Sequence, residues 1–434
     1  MAKNSIKNKK KTLRFSFLDG IFASCMGGFV SDYFTPFLLT IGGTMGQIGM
    51  LGALPNLFAS ISQLKSPDLV EKLGSRKLII NLFVPMQAAS LLFMAIMAAF
   101  GGISPLVFIA AVVLFTSFGA LVNPPWSSMM SEIIAKKKWG AYFGWRNQVL
   151  GFVAVIAALA AGFVLHIDKR SGVFAGFALL FGAAFISRMF SWGFLSRMEE
   201  PALNRERSHN TSFFQCLFGM GHCGNFARFV VFVGALNLSA NISGPFFSVL
   251  MLKGLRLPYP TYMALIAASS VSAYLSVKRW GRHADKAGNI KILSLTSKLI
   301  VFVPALWLVS RNPFYLMFAQ AFSGFVWAGF NLSASNFVYD SAEPAERTRR
   351  VAHLNAATGV CLCLGALAGG LLVPKLPPLF GHSILTLFLL STLARFAVAF
   401  FIPFGIKEVR HVEEMSPIGL LTSVAGISRP GTGD

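Results

Sequence analysis

Acidic residues are scarce in this chain of 434 residues. Only 17 Asp and Glu stand against 38 Lys and Arg, and charged residues together make up 13% of the sequence. Soluble domains carry roughly twice that share of charge. Because 55% of the residues are hydrophobic as well, the composition excludes an ordinary soluble domain and predicts a protein embedded in a membrane.

Several chemical signatures are also missing from the sequence. It contains no G-x-x-x-x-G-K-[ST] loop for nucleotide phosphates, so ATP is not expected to drive it. It shows no intramembrane Ser/His dyad, no metal-ligand cluster and no catalytic carboxylate pair, so we predict neither an enzyme nor a cofactor or metal. The five cysteines lie in apolar runs or cytoplasmic segments, where disulfides are not expected.

Long apolar runs dominate what is present. A helix needs about 20 apolar residues to cross a bilayer. Twelve runs of the sequence meet that need and are predicted to be membrane-spanning helices: 16–40, 45–64, 78–100, 105–132, 143–165, 173–195, 227–251, 259–278, 291–310, 314–338, 352–373 and 384–405.

The basic residues are distributed unevenly between the predicted loops. If Met1 is cytoplasmic, most Lys and Arg fall in the inner segments and few in the outer loops. This bias predicts that both termini are cytoplasmic. We therefore expect the basic residues that give the net charge of +21 to contact anionic lipid at the membrane surface rather than nucleic acid. The short loops favour the plasma membrane of a prokaryote, that is, a bacterial inner membrane.

The chain contains an internal duplication. Two stretches align without a gap at an offset of 208 residues, which predicts two similar halves. We divide the chain into an N-terminal six-helix bundle (1–195), a cytoplasmic linker (196–226), a C-terminal six-helix bundle (227–406) and a cytoplasmic tail (407–434). The aligned positions are Pro105, Asn123, Glu132, Asn147, Gly151 and Gly162 with Pro313, Asn331, Asp340, Asn355, Gly359 and Gly370.

A short loop motif occurs once in each half, between spans 2 and 3 and between spans 8 and 9. The copies carry Glu71, Lys72, Gly74 and Arg76 in the first half and Gly281, Asp285, Lys286 and Gly288 in the second. Both resemble the G-x-x-x-D-[RK]-x-G-x-[RK]-[RK] loop of the major facilitator superfamily. The first copy departs from the pattern, with Pro67 for the first glycine and Glu71 for the aspartate. A plain basic inner loop is the alternative.

The resemblance implies an all-α membrane protein of twelve helices in two pseudo-symmetric six-helix bundles. It implies that Glu71 and Asp285 belong to a cytoplasmic gate, where a carboxylate can meet the positive end of a helix. It further implies that spans 1, 4, 7 and 10 line a central cavity for a solute. Inner gate charges are predicted at Glu132, Arg146 and Asp340. Glu132 and Asp340 could pair with Arg146 or with the basic loops, and solvated end charges are the alternative.

Polar side chains inside the predicted spans are the candidates for solute binding and coupling, because such groups usually face a cavity or a partner. Asp32 in span 1 and Asn241 in span 7 align across the repeat, and Pro36 and Pro245 are predicted to kink both helices and free a carbonyl. Asp32 could accept a proton or cation, or could be a structural carboxyl. The remaining candidates are Tyr33, Asn123, Trp126, Asn237, Lys298, Trp327 and Asn331.

Each of these candidates also has a plainer interpretation. The asparagines could form hydrogen bonds between helices, the tryptophans could be ordinary packing, and Lys298 could extend to the membrane interface. The sequence therefore predicts a monomeric secondary active transporter that moves a small solute by alternating access, with proton coupling as a hypothesis. The alternatives are a transporter-like solute sensor and an intramembrane enzyme.

Overall fold

The computed structural model describes residues 2–134, 139–167, 173–201, 224–341, 347–401 and 405–409. Within these ranges the chain is helical and contains no β-strand, which confirms the predicted all-α class. Most of the predicted linker (202–223) and of the predicted tail (410–434) lies outside the described residues.

The helices of the N-terminal half follow the predicted spans. They are α1 (Ala2–Val30), α2 (Phe34–Thr40), α3 (Met45–Leu73), α4 (Arg76–Phe100), α5 (Pro105–Ile133), α6 (Trp139–Ile167) and α7 (Val173–Leu195).

The helices of the C-terminal half repeat this order. They are α8 (Gly224–Asn241), α9 (Phe246–Val249) with a π-helical end (Leu250–Gly254), α10 (Tyr259–Ala287), α11 (Asn289–Ile300), α12 (Phe302–Val309), α13 (Pro313–Asp340), α14 (Arg347–Leu372) with a 3₁₀ turn (Val373–Lys375), and α15 (Ser383–Phe401).

Every one of the twelve predicted spans thus corresponds to a helix or an interrupted helix. Nine helical segments of the described chain are long and apolar enough to cross a membrane by length and composition. The other three, α3, α10 and α13, are 29, 29 and 28 residues long.

The chain divides into two compact units. Unit 1 comprises Met1–Glu206 and Pro245–Ala264, and unit 2 comprises Arg207–Gly244 and Leu265–Asp434. The segment Pro245–Ala264, which the sequence assigned to the second bundle, packs in unit 1. Two contacts show this: Tyr262 donates a hydrogen bond to the backbone of Asp32, and the rings of Tyr259 and Phe177 meet edge to face.

The duplication is visible in the packing of each unit. In unit 1, α1 packs on α6 and α7, and α4 packs on α5 and α7. In unit 2, α8 packs on α14 and α15, and α11 packs on α13 and α15, which are the equivalent neighbours in the same order along the chain. The equivalent helices α5 and α13 even begin alike, with Ser104 or Asn312 as N-cap and Pro105 or Pro313 in the first turn.

Prolines inside the helices free backbone carbonyls, and side chains of other helices take them. Proline has no N–H, so the carbonyl four residues earlier loses its helical partner. The carbonyl of Leu121, freed by Pro125, accepts the hydroxyl of Ser66 at 2.7 Å. The carbonyl of Ile300, freed by Pro304, accepts the guanidinium of Arg395 at 3.2 Å. Such replacement donors let a membrane protein keep helix breaks where no water is available.

Candidate functional site

The break in span 1 positions Asp32. Helix α1 ends at Val30 and α2 begins at Phe34. Pro36 leaves the carbonyl of Asp32 without its helical donor, and the hydroxyl of Tyr262 donates to that carbonyl at 2.8 Å. This confirms the prediction that Pro36 frees a carbonyl beside the candidate site.

The carboxylate of Asp32 is half-buried, and no described residue forms a hydrogen bond or ion pair with it. Two tyrosine hydroxyls lie nearby, but each has only one hydrogen to donate. Tyr33, which is fully buried, donates its hydrogen to the carbonyl of Ala158 at 2.6 Å. Tyr262 donates to the Asp32 carbonyl and also contacts the hydroxyl of Ser248 at 3.1 Å.

Helix α5 carries two of the predicted site residues on one face. Asn123 is exposed near the middle of the helix, and Trp126 is half-buried three residues later. The guanidinium of Arg146 lies over the Trp126 ring, with 4.6 Å to the centroid. The indole nitrogen of Trp126 is buried without a hydrogen-bond partner among the described residues.

Two of the candidate residues in unit 2 are held by hydrogen bonds to backbone carbonyls. Asn237 donates to the carbonyl of Val233 in its own helix at 2.8 Å. Asn241 donates to the carbonyl of Leu362 on α14 at 2.7 Å, which is the helix-to-helix alternative foreseen for it. Trp327 packs edge to face on Phe330, and Asn331, like its repeat partner Asn123, is exposed.

Lys298 lies on an exposed part of α11. Its Nζ is 5.5 Å from the centroid of the Phe400 ring. A cation above an aromatic face at the surface of the unit fits the alternative in which the long side chain extends toward an interface.

A buried charge cluster in unit 1 was not foreseen as a group. It consists of Asp19 on α1, Arg146 on α6, and Arg188 and Ser191 on α7, and all four side chains are at least nine-tenths buried. Ser191 donates to Asp19 Oδ1 at 2.6 Å and accepts from Arg188 Nη1 at 3.0 Å. Arg146 Nη2 lies 3.9 Å from Asp19 Oδ2 and donates to the carbonyl of Ser16 at 3.1 Å.

The sequence did contain a signal for this cluster. Asp19 stands inside the apolar run 16–40 together with Asp32, and an ionisable residue in such a run usually faces a cavity or a partner. Of the partners expected for Glu132, Arg146 is not the one observed: Arg146 contacts Asp19 and Ser16 of α1, whereas Glu132 pairs with Arg76.

Arg395 in unit 2 is the repeat counterpart of Arg188, with a one-residue slip, and it is 2% exposed. No carboxylate of the described chain pairs with it. Instead its Nη2 donates to the carbonyl of Ala240 at 3.0 Å and to Ser243 Oγ at 2.9 Å, and its Nη1 donates to the carbonyl of Ile300. Ala240 and Ile300 stand at the ends of α8 and α11, where a cation is favoured by the helix dipole.

The first copy of the loop motif forms a tight turn, although Pro67 replaces the first glycine of the pattern. Gly74 ends α3 with φ +66°, a conformation that favours glycine. Glu71 and Lys72 are exposed, whereas Arg76 is only 2% exposed. Arg76 donates to Glu132 at 2.7 and 3.2 Å, to Ser128 at 2.9 Å and to the carbonyl of Pro201 at 2.8 Å.

Glu200 completes this connection. Its carboxylate accepts the backbone N–H of Arg76 at 2.7 Å and the hydroxyl of Ser75 at 2.6 Å, so it stabilises the N-terminus of α4. The carboxylate that meets the helix end in unit 1 is therefore Glu200, not a residue of the loop motif.

The second copy of the loop motif has a related arrangement. Gly288, with φ +94°, precedes α11, while Gly281 lies inside α10 and not in the turn. Asp285 and Lys286 are exposed. Asn289 donates to Asp340 at 2.7 Å, and Glu408, which is 208 residues after Glu200, accepts the backbone N–H of Ile290 at 2.8 Å.

No group of three or more His, Cys, Asp or Glu side chains in the described ranges could hold a metal ion. The polar features are instead of a kind that could bind a proton, an ion or a polar solute. They are a carboxylate with no partner among the described residues, buried guanidiniums, and exposed asparagines near tryptophan rings.

A protein-family model matches most of the chain. The family model described as Major Facilitator Superfamily matches residues 20–297 and 229–377. No curated protein sequence matches the chain.

Solved structures share the fold at low sequence identity. A single-site mutant of the nucleoside transporter NupG superposes with a TM-score of 0.71 at 15% identity, covering 90% of this chain and 98% of that one. A D-xylose–proton symporter gives 0.67 at 13% identity, covering 94% and 99%. A bacterial homologue of the lysosomal transporter Spinster, in an inward-facing and unoccupied conformation, gives 0.57 at 14%, covering 91% and 95%.

Proposed function

This chain belongs to the major facilitator superfamily, and from that premise we propose that it is a proton-coupled secondary transporter in which Asp32 accepts the coupling proton. The protein is an integral membrane protein, and it moves a small solute by alternating access. The observation that carries the coupling step is the carboxylate of Asp32 at the break of span 1, which has no partner within the described ranges.

The surroundings of Asp32 support this role. An unpaired carboxylate inside a membrane span is costly, and binding a proton or another cation removes that cost. The two nearby tyrosine hydroxyls donate their hydrogens to carbonyls, so they do not neutralise the carboxylate. One solved structure with a similar fold is named as a D-xylose–proton symporter. Its name describes the same kind of coupling as the one proposed here.

The proposal extends to the other predicted residues of each half. In unit 1, Asn123 and Trp126 offer an amide and an aromatic ring to a solute, and in unit 2, Asn331 and Trp327 offer the same pair of groups. The exposure of both asparagines on apolar helices supports this role. We further propose that Glu71 and Asp285, both exposed, belong to a cytoplasmic gate.

The basic inner segments support a specific orientation. We propose a monomer in a bacterial inner membrane with both termini in the cytoplasm, because Lys and Arg concentrate in the loops assigned to that side. The same loops would contact anionic lipid.

The test uses the full-length protein in proteoliposomes, with a solute identified by a thermal-shift screen, since a bound solute stabilises the folded state. Asp32→Asn is expected to lose uptake driven by a pH gradient while it retains counterflow exchange of solute. Asp68→Asn is the matched control, because Asp68 is exposed and forms only a surface pair with Lys65. Undiminished driven uptake by Asp32→Asn would contradict the role of Asp32, and absence of any flux would favour a sensor or an enzyme.

A further inference from the structure

The buried charge cluster contains more positive than negative charge. Arg146 and Arg188 are 8% and 6% exposed, and the one carboxylate beside them, Asp19, is 5% exposed. Among the described residues no second carboxylate joins the cluster. An uncompensated buried charge is strongly unfavourable, so one guanidinium of this cluster lacks the counter-charge that its burial calls for.

The existing pairing within the cluster is loose. Arg188 reaches Asp19 only through the hydroxyl of Ser191. The shortest distance between Arg146 and Asp19 is 3.9 Å, which is an ion pair but too long for a hydrogen bond. Neither guanidinium therefore forms the two-pronged contact with a carboxylate that arginine usually makes.

Several donors of the cluster lack an acceptor. The Nε atoms of Arg146 and Arg188 are buried without a partner in the described chain, and so is the indole nitrogen of Trp126, whose ring lies under the Arg146 guanidinium. An unmet buried donor costs about 1–3 kcal/mol. All three groups need an acceptor, and an oxyanion would supply acceptor atoms and negative charge together.

The cluster extends to an exposed position of unit 1. Trp126 connects it to Asn123, which lies three residues earlier on α5 and therefore on the same face of the helix. Asn123 is exposed, so a ligand that contacts this face of α5 would lie next to the Trp126 ring and the guanidinium above it.

We propose that Arg146 and Arg188 bind an oxyanion group, a carboxylate or a phosphate, of the transported solute. This inference rests on the proposed transport function and adds the chemical class of the solute. Asp19 occupies the same two guanidiniums when no solute is bound and therefore competes with the anion for them. Trp126 and Asn123 contact the remainder of the solute.

The experiment measures binding to purified full-length protein in detergent by calorimetry. The probes are chloride, acetate, benzoate, inorganic phosphate and a sugar phosphate, with glucose and uridine as neutral comparisons. At least one oxyanion is expected to bind, and the carboxylate and phosphate arms identify which group it carries. Binding of the neutral solutes alone, or of chloride as tightly as every oxyanion, would overturn the proposal.

Variants separate binding from a structural role of the cluster. Arg146→Gln and Arg188→Gln are each expected to weaken oxyanion binding about tenfold or more, because each removes a charged hydrogen bond. Asp19→Asn is expected to strengthen binding, because it removes the competing charge. A cluster that served only stability would give no such gain, so equal or weaker binding by Asp19→Asn, with the protein folded, contradicts the inference.

Two further variants complete the design. Arg228→Gln is the matched control, since Arg228 is exposed and donates only to the carbonyl of Gly405, and its oxyanion affinity is expected to be unchanged. If a glutamine variant does not fold, Arg146→Lys replaces it and is expected to keep the charge but lose affinity. Because this assay needs no gradient, its outcome is independent of whether Asp32 couples transport to protons.

Discussion

Arg188 and Arg395 occupy equivalent places in the two halves, yet their surroundings differ. Arg188 belongs to a cluster that holds a carboxylate, a hydroxyl and a second guanidinium. Arg395 has only neutral acceptors, two of them carbonyls at the ends of interrupted helices. The equivalent cation therefore has different partners in the two units. In unit 2 it donates to backbone carbonyls near two helix breaks, and in unit 1 it donates to a side chain.

The largest effect is expected at the arginine of unit 2. Arg395→Met leaves the carbonyl of Ile300, which Pro304 deprives of its helical donor, without a partner, at about 1–3 kcal/mol for the buried group. It also removes the charged hydrogen bonds from Arg395 to the carbonyl of Ala240 and to Ser243 Oγ. We expect the free energy of unfolding in detergent to fall by about 3 kcal/mol or more.

Arg188→Met provides the matched measurement. It removes one bond to Ser191 and also one buried charge, while Asp19 keeps Ser191 and Arg146, so a loss of about 1 kcal/mol is expected. If Arg188→Met were the more destabilising variant, the contrast between the two arginines would be wrong.

A smaller difference is expected between the two loop regions. Arg76 connects Glu132 and the chain at Pro201, and Arg76→Gln is expected to cost about 2 kcal/mol of unfolding free energy because charged hydrogen bonds are lost. Asn289→Ala removes the hydrogen bond that the Asn289 side-chain amide donates to Asp340. It is expected to lower the free energy of unfolding by about 1 kcal/mol.

Chemical unfolding of both variants in one detergent measures this difference. The dependence on salt is the control, because the contacts of Arg76 include an ion pair with Glu132, which loses strength as ionic strength rises. Equal costs with equal salt dependence would show that the two arrangements are equivalent.

The smallest effect is expected at Lys298. Its side chain is exposed beside Phe400, so Lys298→Gln is expected to change the unfolding free energy by no more than about 0.5 kcal/mol. Solute affinity and driven uptake, measured in parallel, are expected to match the parent protein. A loss of solute binding in this variant would instead place Lys298 in the binding machinery.

The sequence was sufficient for features that depend on local chemistry. Apolar runs located the twelve spans, the fixed offset revealed the repeat, Gly74 and Gly288 located the turns, and Pro36 located the break next to Asp32. Each of these features follows from backbone geometry or from the length needed to cross a bilayer. Backbone geometry and span length do not depend on which helix packs alongside.

Side-chain partners could not be predicted in the same way. Whether Glu132 meets Arg76 or Arg146 depends on the rotation of α5 about its axis and on the helices packed against it. Asp19 was overlooked because it stands near the start of a span that follows a lysine-rich segment, where a charged residue is ordinary. Glu200 and Glu408 lie just beyond the last helix of their halves, and only the folded chain brings them to the N-termini of α4 and α11.

Solute-induced proton movement tests the central claim most directly. Proteoliposomes carrying the protein and an internal pH indicator receive a solute gradient, and proton and solute fluxes are recorded together. We predict that solute entry carries protons inward in the parent protein and that Asp32→Asn moves solute in exchange without protons. Solute flux in the parent protein with no accompanying proton movement would contradict the account.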